Sequence, residues 1–212
     1  MDPVLQQIFD AILNGDTGAV PGLVQQALDG GSAPETILNQ AMIGAMTEVG
    51  RLFEDGEYFI PEMLVSARAM QSGLAVLKPH LAGSSLTSSG TVVAGTVKGD
   101  MHDIGKNLVC MMLEGAAFKI VDLGADVSPE KFVEAARAHD AQIVAMSALL
   151  TTTMPGMRAT IRALQEAGLR ERVKVMVGGA PVTQAFADEI GADGYAPDAS
   201  RAVAKAKELL GG

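Results

Sequence analysis

The hydrophobic pattern of the chain changes its period near residue 82. Between residues 4 and 81, apolar residues recur at spacings of three and four, which predicts helices. Beyond residue 90, short β-branched runs alternate with amphipathic segments, which predicts strands alternating with helices. The pattern therefore predicts a helical domain over 1–82 and an α/β domain over 91–212. The small polar stretch GSSLTSSG over 83–90 is typical of a linker.

Four helices are predicted in the first domain. The first ends at Asn14-Gly15, and Asp16 caps a second helix that ends at Asp29. The stretch Ser32–Glu35 has the spacing of a capping box at the start of a third helix. Pro61 is a favoured residue in the first turn of a fourth. We expect these helices to form a four-helix bundle.

Five strands are predicted in the second domain, each followed by a helix. Such alternation indicates an α/β fold with right-handed crossovers and helices on both faces of a parallel sheet. We therefore expect a Rossmann-like, more specifically flavodoxin-like, five-stranded sheet. The predicted strands cover 91–97, 119–123, 142–147, 173–179 and 194–196.

Candidate binding residues follow three of these strands. In open parallel sheets, ligands bind beyond the carboxyl ends of the strands, near a topological switch point. Glycines there let backbone approach a ligand closely, and hydroxyl groups donate and accept hydrogen bonds. No dinucleotide or P-loop glycine pattern is present, which disfavours a nucleotide-phosphate site. The candidates are Gly95, Gly99, Gly105, Ser147, Thr151, Thr152, Thr153, Gly178 and Gly179.

Composition narrows the possible partners and the cellular location. With 16 Lys and Arg against 25 Asp and Glu, the net charge is −9, which argues against nucleic acid or an anionic membrane as partner. No apolar run is long enough to span a bilayer, and the first residues lack a signal-peptide pattern. The single cysteine, Cys110, fits a reducing compartment and is interpreted as a small helix residue. The expected location is the cytoplasm.

His102 lies between two aspartates in the sequence GDMHDIGKNLV, and this position has two interpretations. It can be a solvated loop histidine beside helix-capping aspartates. Alternatively, Asp100 can accept a hydrogen bond from one ring nitrogen, as second-shell carboxylates do for metal-ligating histidines. A zinc site needs about three protein ligands, and His80 and His139 lie elsewhere. If His102 is a metal ligand, the metal must therefore arrive with most of its other ligands already bound.

The three motifs at the strand ends resemble those of one family: the cobalamin-binding modules of methionine synthase and of corrinoid proteins in anaerobic methyltransferase systems. Asp100-Met101-His102-Asp103-Ile104-Gly105 matches the family's DxHxxG. Ser147-Ala148-Leu149 matches its SxL, and Gly178-Gly179 matches its GG. Their order and the preceding helical domain extend the resemblance over nearly the whole chain.

The resemblance implies a role for each matched residue. His102 would bind the cobalt of a cobalamin, either methylcobalamin or a related corrinoid, from the lower face. Asp100 would hold the other ring nitrogen, and Thr153 would continue this relay where the family has serine. The nucleotide tail would lie in a slot lined by Gly105, Ser147, Leu149, Thr151, Gly178 and Gly179.

In the related proteins, the helical domain covers the methyl face of the cofactor with apolar side chains. Our candidates for this lid are Phe59 and Met63, in the segment EYFIPEMLVSARAM. Their alternative role is ordinary packing between helices.

The resemblance implies a methyl carrier, a non-catalytic subunit of a multi-component methyltransferase. It would accept a methyl group from a substrate-specific methyltransferase and deliver it to a second methyltransferase with a tetrahydrofolate or thiol acceptor. A reductive activator would be a further partner. Two alternatives remain open: a cobalamin-dependent sensor and the small B12-binding subunit of a mutase. The helical domain favours methyl transfer, because a mutase subunit does not need a lid. The sequence does not name the methyl donor.

Overall fold

The computed structural model describes residues 2–81 and 89–211. Contacts divide the chain into two compact units, Met1–Thr87 and Ser88–Gly212. The predicted linker over 83–90 lies outside the described residues, apart from its last two positions.

The first unit is entirely helical over the residues described. Helix α1 ends where Asn14 caps it, and the Asp16 carboxylate accepts hydrogen bonds from the backbone N–H groups of Gly18 and Ala19 at the start of α2. Helix α1 packs on α2 and α4, and both of these pack on α5. The helices are α1 (Pro3–Leu13), α2 (Ala19–Asp29), α3 (Pro34–Thr36), α4 (Gly44–Glu54) and α5 (Ile60–Leu81).

The third predicted helix differs from its expected form in two ways. Its first residue is Pro34 and its cap is Ala33, without a side-chain hydrogen bond, so the capping box predicted for Ser32–Glu35 is wrong. Between α3 and α4 the backbone continues as a π-helix over Ile37–Ile43. The wider π-helical turn places Ile37, Leu38, Ala41 and Met42 in the core of the unit.

The second unit confirms the predicted α/β fold. Its five parallel strands have the order β2-β1-β3-β4-β5, the order of flavodoxin-like folds. The strands are β1 (Thr91–Thr96), β2 (Lys119–Asp122), β3 (Ile143–Ser147), β4 (Lys174–Gly178) and β5 (Gly194–Ala196). The helices are α6 (Ile104–Gly115), α7 (Pro129–Ala138), α8 (Pro155–Glu166), α9 (Gln184–Ile190) and α10 (Ala199–Leu209).

The register of the sheet brings the candidate motifs to one edge. Thr96 of β1 pairs with Ser147 of β3, Ser147 pairs with Gly178 of β4, and Gly178 pairs with Ala196 of β5. Helix α6 leads from β1 outward to β2, whereas α8 leads from β3 to β4 on the other side. The direction in which successive strands are added to the sheet therefore reverses between β1 and β3. The loops after these two strands flank this switch point.

Both faces of the sheet are covered by helices. Because side chains alternate along a strand, Val92 and Ala94 face one core and Val93 faces the other. Residues of α6 and α10 share the core of Val92, whereas residues of α7, α8 and α9 share that of Val93. These two apolar layers fix the sheet as a rigid platform for the loops at its carboxyl edge.

Gly95 belongs to this core rather than to the binding edge. A Cβ atom at Gly95 would lie 2.8 Å from Cζ of Phe132 in α7. The glycine therefore makes room for the Phe132 ring. The prediction that Gly95 serves a ligand site is wrong, because its missing side chain is required by this packing.

An ion pair between the buried Lys106 and the exposed Asp122 joins the first turn of α6 to the end of β2. The Lys106 ammonium, 4% exposed, donates to both carboxylate oxygens of Asp122, at 2.6 and 2.5 Å, and to Oδ1 of Asn107 at 2.5 Å. Since an unpaired buried ammonium is costly, removing the Asp122 carboxylate, which is itself 40% exposed, destabilises this junction. Among the described residues, no helix is long and apolar enough to cross a membrane.

Cys110 lies on the sheet-facing side of α6, and its burial raises the pKa of the thiol to about 12. Because the thiolate is the reactive form, we expect the native thiol to react with Ellman's reagent at pH 8 roughly 100-fold more slowly than in urea. Release of thionitrobenzoate measures both rates, and Cys110→Ser supplies the blank. Similar rates in the native and unfolded states would contradict this position for Cys110.

Candidate functional site

The loop between β1 and α6 carries His102 and is held by its own polar groups. Asp100 donates its backbone N–H to the carbonyl of Val97 at 3.1 Å. The backbone N–H of His102 donates to Oδ1 of Asp100 at 3.0 Å, and the Thr96 hydroxyl donates to the His102 carbonyl at 3.0 Å. The short loop therefore folds around the Asp100 carboxylate and the end of β1.

The side chains of His102 and Asp100 form a directed pair. Nδ1 of His102 lies 2.7 Å from Oδ1 of Asp100. Asp100 is fully buried, whereas half of the His102 side chain is exposed. The buried carboxylate thus holds Nδ1, while half of the side chain stays open to solvent.

The loop after β3 completes the surroundings of Asp100. Thr153 Oγ1 lies 2.7 Å from Asp100 Oδ2, which also accepts the backbone N–H groups of Leu149 at 2.8 Å and Leu150 at 3.3 Å. The hydroxyl also lies 2.8 Å from the Leu150 carbonyl. Its single proton goes to Asp100, since an ionised carboxylate is the stronger acceptor.

These hydrogen bonds determine the charge of Asp100 and the tautomer of His102. Burial acts to raise the pKa of the Asp100 carboxyl, but the hydrogen bonds from Thr153, from the backbone of His102 and Leu149, and from the His102 ring together lower the pKa well below its ordinary value. An ionised carboxylate only accepts, so Nδ1 of His102 carries the proton. In the neutral ring, Nε2 then carries the free lone pair.

Large apolar side chains are exposed around this imidazole. Met101 and Ile104, which flank the His102–Asp103 dipeptide, are 72% and 80% exposed, and Leu149 and Leu150 are each 43% exposed. Leu150 and Met101 were not singled out from the sequence as part of this exposed apolar surface. Their signal was present, because both are apolar residues in loops directly after strands.

The remaining predicted residues occupy the same edge of the sheet. Asp103 caps α6 without a side-chain hydrogen bond, and Ser147 is the half-buried last residue of β3. Thr151 is exposed in the loop that supplies the donors to Asp100. The structure thus brings the DxHxxG and SxL motifs into direct contact through Asp100.

The three glycines of the predicted slot have different surroundings. A Cβ at Gly179, where φ is +126°, would lie 1.9 Å from the Ala148 carbonyl oxygen, and one at Gly178 would lie 2.9 Å from that of Ala196. These two glycines are therefore required by the protein's own backbone. A Cβ at Gly105 would meet nothing within 4 Å, so this glycine borders open space.

The two predicted lid residues differ in exposure. Phe59, next to the start of α5, is 64% exposed, whereas Met63 within α5 is fully buried. Of the two side chains, only Phe59 offers surface to a ligand. Met63 takes the packing role that was its alternative interpretation.

The site fits a metal that carries most of its own ligands. Over residues 2–81 and 89–211, no group of three or more His, Cys, Asp and Glu side chains could hold a metal ion. The edge instead offers one oriented imidazole, exposed apolar side chains, and open space beside Gly105. A large, partly apolar macrocycle with a central metal needs these features: one axial nitrogen, apolar contact, and room for its substituents.

Comparison with family models supports this fit independently. A model described as a B12 binding domain matches residues 90–204, and a second model with the same description matches residues 4–78. The two matches together cover most of both units.

Curated relatives match along nearly the whole chain. Dimethylamine corrinoid protein 1 of Methanosarcina acetivorans is 48% identical over 210 residues, which cover 99% of this chain and 98% of the relative. Trimethylamine corrinoid protein 1 of the same organism is 44% identical over 211 residues, with the same coverage of both chains.

Solved structures agree with the sequence relatives. A cobalamin-binding protein from Desulfitobacterium hafniense aligns with a TM-score of 0.83 at 32% identity, over 98% of each chain. A chain of the methanol:cobalamin methyltransferase complex from Methanosarcina barkeri aligns with a TM-score of 0.87 at 32% identity, over 100% of this chain and 81% of that one. The chain therefore belongs to the cobalamin-binding corrinoid proteins of anaerobic methyltransferase systems, and its cofactor is a corrinoid.

Proposed function

We propose that the protein is a methyl carrier, which accepts a methyl group on its corrinoid from a substrate-specific methyltransferase and delivers it to a second methyltransferase. The observation that carries this proposal is the half-exposed His102 imidazole, whose Nδ1 is held 2.7 Å from the buried Asp100 carboxylate. When bound, the corrinoid supplies a cobalt that takes up and releases a methyl group. The protein residues bind and tune it.

His102 is the proposed axial ligand, with Nε2 directed to cobalt. Asp100 fixes the tautomer and strengthens the imidazole as a donor, as carboxylates do for other metal-bound histidines. When Nε2 is not bound to metal, it can hold a proton, and the Asp100 carboxylate stabilises the resulting imidazolium. Thr153 orients Asp100 by donating to Oδ2. Exchange of Nε2 between the metal and a proton would then be coupled through the His102–Asp100 pair.

The nucleotide tail of the corrinoid is proposed to lie beside the sheet, along Gly105, Ser147, Leu149, Thr151, Gly178 and Gly179. The open space at Gly105 supports its part in this slot directly. Gly178 and Gly179 contribute differently, because they let the end of β4 pack closely against the residues that follow β3 and against β5. This packing sets the position of one side of the proposed slot.

The domain division and the lid are also proposals. We propose that the helical domain, 1–82, covers the methyl face of the corrinoid through Phe59, and that 91–212 holds the lower face. The exposed Phe59 ring and the adjacent exposed Ile60 support this role, because grouped exposed apolar side chains mark contact surfaces. Such a lid must move aside for each partner enzyme.

The names of the curated relatives favour a methyl carrier over a sensor or a mutase subunit. The relatives that match over 98% of their own length are named as corrinoid proteins for methylamines. They are named for different amines although both are more than 40% identical to this chain. This supports assigning donor choice to the partner methyltransferase. A second methyltransferase, with a tetrahydrofolate or thiol acceptor, and a reductive activator complete the proposed set of partners.

The axial ligand can be identified by electron paramagnetic resonance. We expect the unlabelled Co(II) corrinoid, bound to protein enriched uniformly in ¹⁵N, to show a superhyperfine doublet from one ¹⁵N, because the axial nitrogen comes from His102. The His102→Gln variant should lose this doublet, whereas His139→Gln, which changes an exposed histidine, should retain it. A ¹⁴N triplet in the labelled wild-type protein would assign the axial nitrogen to the cofactor's own base.

The second prediction concerns the charge on Asp100. Asp100→Asn should retain the corrinoid but weaken the imidazole as a donor, because the amide cannot stabilise positive charge on the ring. We expect the Co(II)/Co(I) midpoint potential to rise and corrinoid affinity to fall about 10–100-fold. Spectroelectrochemistry and absorbance titration measure the two quantities. Asp140→Asn, in a turn after α7, is the matched control, and a potential unchanged in Asp100→Asn would limit Asp100 to a structural role.

The third prediction tests the lid in the full-length protein. If the Phe59 ring covers the methyl group, Phe59→Ala should increase the rate at which bound methylcobalamin photolyses in air, because the radical escapes and oxygen enters more readily. Val65→Ala is the control, since Val65 is 42% exposed but packs against Gly15 within the helical unit. Equal photolysis rates in wild type and Phe59→Ala, with cofactor still bound, would contradict the lid role.

A further inference from the structure

A second acidic residue, Asp126 in the loop between β2 and α7, contacts the backbone of the His102 loop. Oδ1 of Asp126 accepts the backbone N–H of Gly99 at 2.7 Å. In return, the backbone N–H of Asp126 donates to the carbonyl of Asp100 at 3.0 Å. The two bonds form a closed ring between the loops, which we call the Asp126 clamp.

The backbone of both loops is unusual at the clamp. Asp126 has φ +53° and Gly99 has φ +83°, both in the left-handed region. This region is disfavoured for residues with a Cβ, although Asp and Asn tolerate it better than other types. Such an outlier persists where the surrounding contacts over-determine it. At Asp126, the two hydrogen bonds of the clamp are those contacts.

The clamp rests on a fixed base. Thr96 at the end of β1 donates its N–H to the Gly124 carbonyl at 3.0 Å and accepts the N–H of Val127 at 2.9 Å. Val97 and Val127 form a further parallel bridge. The β2–α7 loop is thus anchored to β1 on both sides of Asp126, so that the Asp126 carboxylate projects from a rigid support.

Asp100 is consequently held from two directions. Its carboxylate is fixed by Thr153 and by the N–H groups of Leu149 and Leu150, all in the loop after β3. Its backbone is fixed by Asp126, in the loop after β2. Two anchors on opposite sides determine the orientation of the side chain between them, and through it the position of Nδ1 of His102.

We infer that Asp126 is a positioning residue for the His102–Asp100 pair. By holding Gly99 and the Asp100 carbonyl, it keeps the Asp100 carboxylate at hydrogen-bonding distance from Nδ1 and so maintains the tautomer that presents the lone pair of Nε2. Its effect on corrinoid affinity rests on the proposed role of His102 as axial ligand. Its effect on the tautomer concerns the protein alone.

Three substitutions separate the possible contributions of Asp126. Asp126→Asn keeps an acceptor oxygen and tolerance of the left-handed backbone. Asp126→Gly keeps the backbone conformation, and therefore the fold, but lacks the acceptor for Gly99. Asp126→Ala lacks both the acceptor oxygen and the tolerance of the left-handed backbone. Asp140→Gly is the matched control, because Asp140 is also an exposed aspartate with positive φ, +47°, but lies in the turn that precedes β3 at the opposite end of the strands.

The first measurement uses the apoprotein. Long-range ¹H–¹⁵N correlation spectra report which nitrogen of His102 carries the proton. We expect wild type, Asp126→Asn and Asp140→Gly to show the Nδ1–H tautomer, and Asp126→Gly and Asp126→Ala to show a mixture with Nε2–H. Thermal melting of Asp126→Gly, expected to remain cooperative, shows that the change is not due to unfolding.

The second measurement is the dissociation constant of hydroxocobalamin, by absorbance titration. We expect an increase of about 10-fold for Asp126→Gly, at the low end for groups that orient metal ligands, since Asp126 acts through Asp100. Asp126→Asn should stay near wild type. A wild-type tautomer and affinity in Asp126→Gly would overturn the inference, because the acceptor would then be unnecessary. A changed tautomer without a changed affinity would support the clamp and count against His102 as axial ligand.

Discussion

The binding edge of this protein depends on the burial of one ionised carboxylate. Asp100 is fully removed from solvent and yet keeps its charge, which is possible only because five N–H and O–H groups donate to it. Two of these donors come from its own loop and three come from the loop after β3. The requirement to satisfy this charge joins the two loops at the switch point of the sheet.

This arrangement explains why the histidine can be both oriented and accessible. A fully buried imidazole could not reach a ligand outside the protein, and a fully solvated one would sample several rotamers. At His102, the Asp100 carboxylate holds Nδ1 by a hydrogen bond, while half of the side chain remains exposed. The ring is therefore already ordered without a ligand, which is the general advantage of a preorganised site.

The apolar surface at the same edge has a related cause. Met101 and Ile104 are among the most exposed large apolar side chains of the described chain, although Met101 lies in a loop held by hydrogen bonds and Ile104 is the first residue of α6. A single exposed apolar residue is common, but a group beside an oriented imidazole is typical of a ligand surface. A corrinoid, which combines an apolar ring edge with a central metal, fits both features, in line with the proposed site.

The sequence by itself determined the fold class and the strand positions, and its DxH spacing made a pairing of His102 with Asp100 one of two interpretations. These features depend on local period and short spacing, which a linear pattern contains. The sequence offered Thr153 as a hydroxyl candidate at a strand end, but its contact with Asp100 was expected only from the family resemblance, since the two residues are 53 positions apart and share no local signal. The tertiary structure decided contacts of this long-range kind: the N–H groups of Leu149 and Leu150 on Asp100, and the clamp of Asp126 on Gly99.

The glycines show the same division. Their presence at the strand ends was visible in the sequence, but the reason for each was not, because a missing side chain serves a ligand and a neighbouring backbone equally well. Packing decided that Gly95 accommodates Phe132, that Gly179 accommodates the Ala148 carbonyl, and that Gly105 alone of these three faces open space. The physical reason is that sequence records which side chain is absent, whereas only the folded chain determines what occupies the space.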